Sequence, residues 1–225
     1  MTGRWKAIAD GVLVAAALAA AGSVTYGTFR PPPSNRVDSP LRETARLLSV
    51  RDRGFEFSSR VDMIRARDTL LIFSDYQCPA CKRFERVLAD YLLMPRSALT
   101  IGFLHFPLPG HPQALMAATL AECARSPGQF SLAHRWLFAM QDSLRSVKAA
   151  AVPLSASVVD SAKFMRCSEQ SDTSAAVASG IALARRLGVN ATPTLIVNGW
   201  LAGVPADAYE LAEWLRRTRR GKPPY

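Results

Sequence analysis

The sequence lacks the features that commonly hold a cofactor, a metal or a nucleic acid. It has no glycine-rich loop of the kind that cradles a phosphate, so we expect no nucleotide and no flavin. The three histidines, His105, His111 and His134, show no ligand spacing to a cysteine pair, and we expect no metal. Because no dense basic stripe is interleaved with aromatic residues, nucleic acid is not an expected partner.

Basic side chains outnumber acidic ones, 28 to 18, which gives a formal net charge of +10. Such a balance can favour an anionic partner. The arginines are spread along the whole chain, however, and we interpret them as a solvated surface. One cluster, Arg216–Lys222, is expected to fray beyond the last helix. No added dimerisation domain is visible, and we predict a monomer.

Arg4 and Lys6 lie near the start of the N-terminal segment, and no residue from Gly11 to Phe29 is charged. Nineteen helical residues span about 28 Å, close to the thickness of the hydrocarbon core of a bilayer. Small residues within this run also offer a site for signal cleavage. The segment 1–30 is therefore predicted to be either an uncleaved membrane anchor or a cleaved export signal.

A linker with a short helix is expected over residues 31–53. Pro31–Pro33 favour an extended polyproline stretch that holds a domain away from a membrane. Ser39 and Pro40 then suit the cap and the first turn of a short helix.

Hydrophobic patterns beyond the linker predict alternating strands and helices. The apolar run 69–76 predicts a buried strand, 79–91 a helix and 99–106 a second strand, an order with the size of a parallel crossover. Four helices follow, and then a strand, an Asn198-Gly199 hairpin turn, a second strand and an amphipathic helix. The four helices are predicted at 111–124, 130–144, 155–167 and 171–187, and the last helix at 205–218.

The segment 73–84, FSDYQCPACKRF, places Cys78 and Cys81 where the first strand ends and a helix begins. Three interpretations compete: a zinc ligand pair, a static disulfide and a redox pair. Zinc needs further ligands, which Cys123 and Cys167 do not supply as a close pair, and a disulfide across two residues gains little loop entropy. A cysteine at a helix N-terminus faces free N–H groups that favour the thiolate. The redox interpretation therefore explains more, with Cys78 as the exposed nucleophile and Cys81 as the shielded resolving thiol.

The same segment resembles the active site of DsbA-like thiol–disulfide oxidoreductases of the thioredoxin superfamily. A second stretch, LGVNATPTLIVNG at 187–199, resembles the threonine-proline signature of that family. The resemblance covers about residues 54–218 and implies an α/β thioredoxin fold with an inserted helical subdomain. It also implies that Pro193, preceded by Thr192, forms a cis peptide bond facing the disulfide. There the proline keeps metals from the thiolate, and a substrate strand pairs beside Thr192.

The resemblance also divides the chain into a thioredoxin fold and its appendages. A helical insertion separates the two parts of the fold, and a basic tail follows the last helix. The predicted boundaries are 1–30 for the signal or anchor, 31–53 for the linker, 54–110 and 188–218 for the two parts of the thioredoxin fold, 111–187 for the insertion and 219–225 for the tail.

The chain departs from this family at two places near the cysteines. Many relatives carry an acidic residue six positions before the first active-site cysteine, and here that position is Ile72. No buried carboxylate is expected at that position, and Asp75 is expected to face solvent. Many strongly oxidising relatives have a histidine between the cysteines, where this chain has Pro79-Ala80. Without the imidazole the Cys78 thiolate is less stabilised, so we predict a weaker oxidant.

Cys123 and Cys167 form a second possible pair, 44 positions apart. Each alone is compatible with a small buried core residue. Pairing is favoured in an exported protein with an even number of cysteines, and some DsbA-like relatives link two helices of the insertion at similar places. By that resemblance we predict a structural disulfide between Cys123 and Cys167.

The sequence thus predicts an extracytoplasmic thiol–disulfide oxidoreductase, either anchored by its N-terminal segment or secreted after cleavage. Its expected substrates are cysteine-containing exported proteins, which dock on a shallow apolar surface formed by Tyr76, Pro79 and Pro107. A membrane redox partner is expected to reoxidise or reduce the cysteine pair. The alternative is a non-enzymatic binding or chaperone module at the membrane, in which the two cysteines are a stable staple.

Overall fold

The computed structural model describes residues 68–95, 99–124, 129–158, 160–169 and 174–225. The predicted anchor or signal at 1–30 and the predicted linker with its short helix at 31–53 lie outside the described residues. No helix within the described ranges is long and apolar enough to cross a membrane.

A four-stranded mixed sheet forms the centre of the described domain. β1 spans Asp68–Ser74 and pairs in parallel with β2, Leu99–His105. β3, Thr194–Val197, is antiparallel to β1, and β4, Trp200–Ala202, is antiparallel to β3. The order across the sheet is β2-β1-β3-β4. The central strand β1 is buried along its whole length, as its run of apolar residues predicts.

Helices connect the strands in the predicted order. α1, Pro79–Leu93, links β1 to β2 as a crossover. The connection from β2 to β3 contains α2, α3, a 3-10 turn, α4, α5 and α6, and α7 follows β4. Their bounds are Ala114–Cys123 for α2, Gln129–Ala139 for α3, Gln141–Ser143 for the 3-10 turn, Val147–Ser155 for α4, Ser161–Ser168 for α5, Ala175–Arg186 for α6 and Ala208–Arg219 for α7.

The helix predicted over 155–167 begins later, because α5 starts at Ser161, and α4, Val147–Ser155, was not predicted. Ser146 caps α4 by accepting a hydrogen bond from the Ala149 N–H, and Asp160 caps α5 by accepting one from the Lys163 N–H. Each cap satisfies a backbone donor that a helix start leaves free. Pro153 lies inside α4, and proline is disfavoured in a helix interior, so the sequence pattern hides this helix.

The two faces of the sheet pack against different helices. Leu70 and Ile72 of β1 belong to a large core with residues of α1, α7 and the helical insertion. Leu71 and Phe73, which alternate with them, belong to a smaller core with Leu183 and other residues of α6. The alternation follows from the two-residue period of a strand. It places α1, and therefore the cysteine pair at its start, against the larger core.

Gly180 allows α6 to pack directly against the backbone of β2. A Cβ atom at this position would lie 2.5 Å from the carbonyl oxygen of His105, a distance that no larger residue accommodates without a shift of the backbone. This close contact fixes the end of β2, where the loop 106–113 begins.

The predicted Asn198-Gly199 turn is confirmed, with positive φ angles of 49° and 88°. The Asn198 side chain also accepts a hydrogen bond from the Thr69 N–H at 2.7 Å and donates one to the Asp68 carboxylate at 3.1 Å. Asp68 pairs in turn with the guanidinium of Arg219, whose Nε lies 3.0 Å away. The expectation that the basic cluster frays is wrong at Arg219, because this buried carboxylate holds the last residue of α7 in place.

Candidate active site

Cys78 is the N-cap residue of α1, with extended backbone angles, and Pro79 is the first residue of the helix. Proline suits this position because its missing N–H would have no partner within the helix. The first turn of α1 contains no acidic residue, so no carboxylate in that turn neutralises the positive end of the helix dipole or repels a thiolate at Cys78. The sulfur of Cys78 therefore lies where a negative charge is stabilised.

The pKa of the Cys78 thiol is lowered from its ordinary value to about 5. A hydrogen bond from the Cys81 thiol contributes most to this shift, burial acts against it, and the Thr192 side chain and the N–H groups of Cys81 and Ala80 lower it further. Cys78 is only 6% exposed, so the expectation of an exposed nucleophile is wrong. The first turn of α1 and the residue before Pro193 enclose the sulfur.

The pKa of Cys81 is shifted in the opposite direction, well above its ordinary value. Burial is the largest cause, and the hydrogen bond to Cys78 is the second. The side chain is fully buried, and the Asp75 N–H donates to its sulfur at 3.5 Å. Near neutral pH the two sulfurs therefore carry one proton between them, with the negative charge on Cys78 and the proton on Cys81.

The loop before β3 brings Thr192 to the cysteine pair. The Cys78 sulfur lies 3.2 Å from the Thr192 carbonyl oxygen, to which it donates a hydrogen bond when it is protonated. The peptide bond between Thr192 and Pro193 is cis, and both residues are buried. The structure thus places Cys78, Cys81, Thr192 and Pro193 together, although 114 positions separate Cys78 from Thr192.

The expectation that Asp75 faces solvent is wrong, because its side chain is fully buried. The carboxylate accepts hydrogen bonds from the Gln77 N–H at 2.7 Å, from the Leu108 N–H at 2.9 Å and from His111 Nδ1 at 2.6 Å. The contact with Gln77 is the local turn that aspartate forms with the backbone two residues on. The other two contacts join the cysteine loop to the loop 106–113, a long-range role that the sequence pattern does not show.

Gln141 is a further residue of the site that the sequence analysis did not identify. Its buried side-chain amide donates hydrogen bonds to the carbonyl oxygens of Tyr76 at 2.7 Å and of Cys78 at 3.0 Å. Beside it, Asp142 forms an exposed ion pair with Lys82 at 2.9 Å. The 3-10 turn of the helical insertion therefore holds the backbone of the cysteine loop, and glutamine in a polar segment gives no sequence signal of such a role.

Replacing Gln141 with leucine is expected to lower the free energy of unfolding by about 1–3 kcal/mol, because the Tyr76 and Cys78 carbonyl groups each lose the hydrogen bond from Gln141. The Cys78 carbonyl keeps the hydrogen bond from the Lys82 N–H. The rate at which Cys78 reacts with iodoacetamide should also change, because the loop that positions the sulfur loses its support. Chemical denaturation and alkylation kinetics measure the two effects. The neighbouring variant Asp142→Asn removes only the exposed ion pair and should change stability by at most about 1 kcal/mol. Equal effects of both variants would contradict the role assigned to Gln141.

Tyr76 lies inside the domain and not on the predicted docking surface, since it is 1% exposed. Its hydroxyl is 3.0 Å from His134 Nδ1, and His134 Nε2 is 3.1 Å from Glu85 Oε2. Burial, followed by the charge of Glu85, raises the pKa of Tyr76 well above its ordinary value. The ring packs against Phe138 at 4.8 Å between centroids. This hydrogen-bonded chain fastens the cysteine loop to α3 of the insertion.

Cys123 and Cys167 are joined by a disulfide that links the end of α2 to α5. Their Cα atoms are 5.6 Å apart, and the bond closes a loop across 44 positions. The bond lies within the helical insertion, whereas Cys78 and Cys81 are free thiols. The four cysteines therefore divide into one covalent pair and one pair with strongly different thiol pKa values.

Comparisons with known proteins match most of the described domain. A protein-family model described as Thioredoxin matches residues 64–217. Among curated proteins, the Na(+)/H(+) antiporter NhaA 1 of Mycolicibacterium gilvum is 30% identical over 165 residues, which cover 70% of this chain and 27% of the antiporter. The chain spans at most about a quarter of the length of the curated relatives it matches.

Solved structures match the arrangement of strands and helices. BdbD from Bacillus subtilis, in its oxidised form, matches with a TM-score of 0.58 and 22% identity, covering 70% of this chain and 90% of that chain. Alpha-DsbA1 from Wolbachia pipientis matches with a TM-score of 0.57 and 18% identity, covering 70% of this chain and 88% of that chain. At these identities the likeness shows a shared fold.

Proposed function

Because the chain belongs to the thioredoxin family, as its match over residues 64–217 shows, we propose that it exchanges disulfides with cysteine-containing proteins through Cys78 and Cys81. The prediction of a DsbA-like thioredoxin fold is confirmed by the family match and by the solved structures of the same fold. The observation that carries the proposal is the position of Cys78 at the N-terminus of α1, beside the fully buried Cys81 and the Thr192 carbonyl, which gives the two thiols opposed pKa shifts. They give one sulfur the character of a nucleophile and leaving group and keep the other protonated.

The proposed exchange proceeds through a mixed disulfide. In the oxidising direction, a substrate thiolate attacks the Cys78 sulfur of the Cys78–Cys81 disulfide, the bond between the two cysteines breaks, and Cys81 takes up a proton. A second substrate thiolate then attacks the substrate sulfur of the mixed disulfide, and Cys78 leaves as a thiolate. The reducing direction reverses these steps, with Cys78 attacking and Cys81 resolving. The low pKa of Cys78 makes it a good leaving group, which supports the oxidising direction.

Thr192 and Pro193 are proposed to position the substrate. The Thr192 carbonyl lies 3.2 Å from the Cys78 sulfur, so an extended substrate segment whose cysteine reaches that sulfur also passes the backbone of Thr192. Backbone pairing of this kind binds peptides by their main chain and tolerates different side chains. It suits an enzyme that acts on many cysteine-containing proteins.

The proposed place of action is outside the cytoplasm, beside a membrane. The Cys123–Cys167 disulfide supports an oxidising compartment, because structural disulfides persist there. The uncharged stretch within 1–30 supports export or anchoring, and the partial match to Na(+)/H(+) antiporters agrees with action at a membrane. We propose that exported proteins are the substrates, that a membrane redox partner restores the cysteine pair, and that the protein acts as a monomer.

The proposal is tested by the pH dependence of the reduced protein. The ultraviolet absorbance of the Cys78 thiolate should appear with a midpoint near pH 5, far below the value of about 8.5 for an unperturbed cysteine. Because folding lowers the pKa of Cys78, ionisation of Cys78 stabilises the folded reduced protein against unfolding. This stabilisation is fully present above the pKa of Cys78 in the unfolded chain and is lost as the pH falls through 5. The variant Cys78→Ser should remove the low transition. A midpoint near that of a free cysteine would overturn the proposed role.

A further inference from the structure

A cavity of about 420 Å³ lies between α1 and α3, apart from the groups that carry out exchange. This volume is within the range of small-molecule binding sites. Its inner wall is apolar and buried, and is formed by Leu88 of α1, Ile101 and Phe103 of β2 and Phe138 of α3. Two aromatic rings and two branched side chains form a surface that favours a flat apolar body.

The rim of the cavity is rich in positive charge. Lys82, Arg86 and Arg135 line it, against the single carboxylate of Glu85. Lys82 already pairs with Asp142, whereas Arg86 and Arg135 are exposed and form no ion pair among the described residues. Two guanidinium groups thus remain at the mouth, and a guanidinium group suits an oxyanion such as a carboxylate or a sulfonate.

Glu85 provides a second polar feature. Its Oε2 lies 3.1 Å from His134 Nε2, and the partly exposed carboxylate lines the cavity. A carboxylate accepts several hydrogen bonds, so a ligand with an O–H or N–H group would donate to the accessible side of Glu85. The cavity therefore combines an apolar wall, one acceptor and a cationic mouth.

We propose that this cavity binds a small amphipathic anion with an apolar, preferably aromatic, body, one hydrogen-bond donor for Glu85 and one carboxylate or sulfonate for Arg86 and Arg135. The proposal does not depend on exchange at Cys78, because no cysteine lines the cavity. Failure of one proposal therefore leaves the other unaffected.

Three related compounds test the proposal. 6-Hydroxynaphthalene-2-sulfonate carries the body, the donor and the anion, 2-naphthol lacks the sulfonate, and naphthalene-2-sulfonate lacks the donor. Ligand-observed NMR titrations on the full chain in lipid nanodiscs, with empty nanodiscs as the blank, give the dissociation constants. We expect the complete compound to bind saturably. Loss of the sulfonate should weaken binding about fivefold, and loss of the hydroxyl about threefold.

Variants locate the site on the chain. Arg86→Gln combined with Arg135→Gln should remove the advantage of the sulfonate and leave 2-naphthol binding within about twofold. Ala89→Trp, at an exposed position on the rim, should block all three compounds, with circular dichroism as the check of folding. Arg83→Gln, on the same helix but outside the cavity lining, is the matched control and should change nothing.

Absence of saturable binding would overturn the proposal. Binding that survives Ala89→Trp would place the ligand elsewhere and would also overturn it. Equal affinity for 2-naphthol and for 6-hydroxynaphthalene-2-sulfonate would overturn the proposal that the ligand is an anion.

Discussion

Replacing Cys78 with serine is expected to abolish the proposed disulfide exchange. A serine hydroxyl does not ionise near neutral pH and forms no disulfide, so both the nucleophile and the leaving group are lost. The structure predicts this asymmetry, because the low pKa belongs to Cys78 and the fully buried, protonated thiol belongs to Cys81. The measurement is the reoxidation of a reduced, unfolded model substrate, which should proceed at the rate of the uncatalysed reaction.

Cys81→Ser is the matched variant and should behave differently. Cys78 remains a thiolate and still attacks a substrate disulfide, but no second thiol resolves the mixed disulfide. A covalent complex with the substrate should therefore accumulate and be visible as a mass increase under non-reducing conditions. Trapping by Cys78→Ser, or identical behaviour of the two variants, would contradict the assignment of attacking and resolving sulfurs.

Removing the Cys123–Cys167 disulfide is expected to lower the free energy of unfolding by about 3–4 kcal/mol in the chain-entropy account. The bond closes a loop across 44 positions and joins α2 to α5, so the unfolded chain gains much freedom when it is cut. Denaturant unfolding of Cys123→Ala combined with Cys167→Ala measures the effect. A typical domain has only about 5–15 kcal/mol of stability in total, which makes this a large change.

The cysteine pair of α1 supplies the control for this experiment. A disulfide between Cys78 and Cys81 closes a very short ring, so its removal by a double serine substitution releases little chain entropy. The free energy of unfolding of the oxidised wild-type protein should therefore change less on the double substitution Cys78→Ser, Cys81→Ser than on removal of the Cys123–Cys167 bond. A loss of stability below about 1 kcal/mol on removing the Cys123–Cys167 bond would contradict its structural role.

Local sequence patterns predicted the elements that carry the site. The apolar run of β1 and the helical spacing after Pro79 placed Cys78 at a strand-to-helix junction, where the structure has it. Asn198-Gly199 likewise predicted the turn between β3 and β4. These features depend on contacts between residues that are near one another in the chain, which is the information that periodicity and turn chemistry contain.

The contacts that support the site were not predictable in the same way. Asp75 reaches Leu108 and His111, and Gln141 reaches the carbonyls of Tyr76 and Cys78 across 65 and 63 positions. A polar residue in a loop gives the same local pattern whether it faces solvent or satisfies a distant backbone group. Only the packing of the insertion against the cysteine loop decides between the two.

The pKa of Cys78 also bears on the strength of the proposed oxidant. The value of about 5 lies between those of thioredoxin, about 7, and DsbA, about 3.5. A lower thiolate pKa stabilises the reduced form and raises the reduction potential, so we expect a potential between about −270 mV and about −120 mV. The prediction from Pro79-Ala80, an oxidant weaker than the relatives with histidine between the cysteines, is tested by the same potential.

The most direct test of the account is the reduction potential of the Cys78–Cys81 pair, measured on the full chain equilibrated in glutathione buffers. We predict reversible exchange at this pair, with a potential between the two limits above, while Cys123 and Cys167 stay bonded. A pair that fails to exchange with glutathione at any buffer ratio would contradict the account and leave a non-enzymatic binding module with a thioredoxin fold.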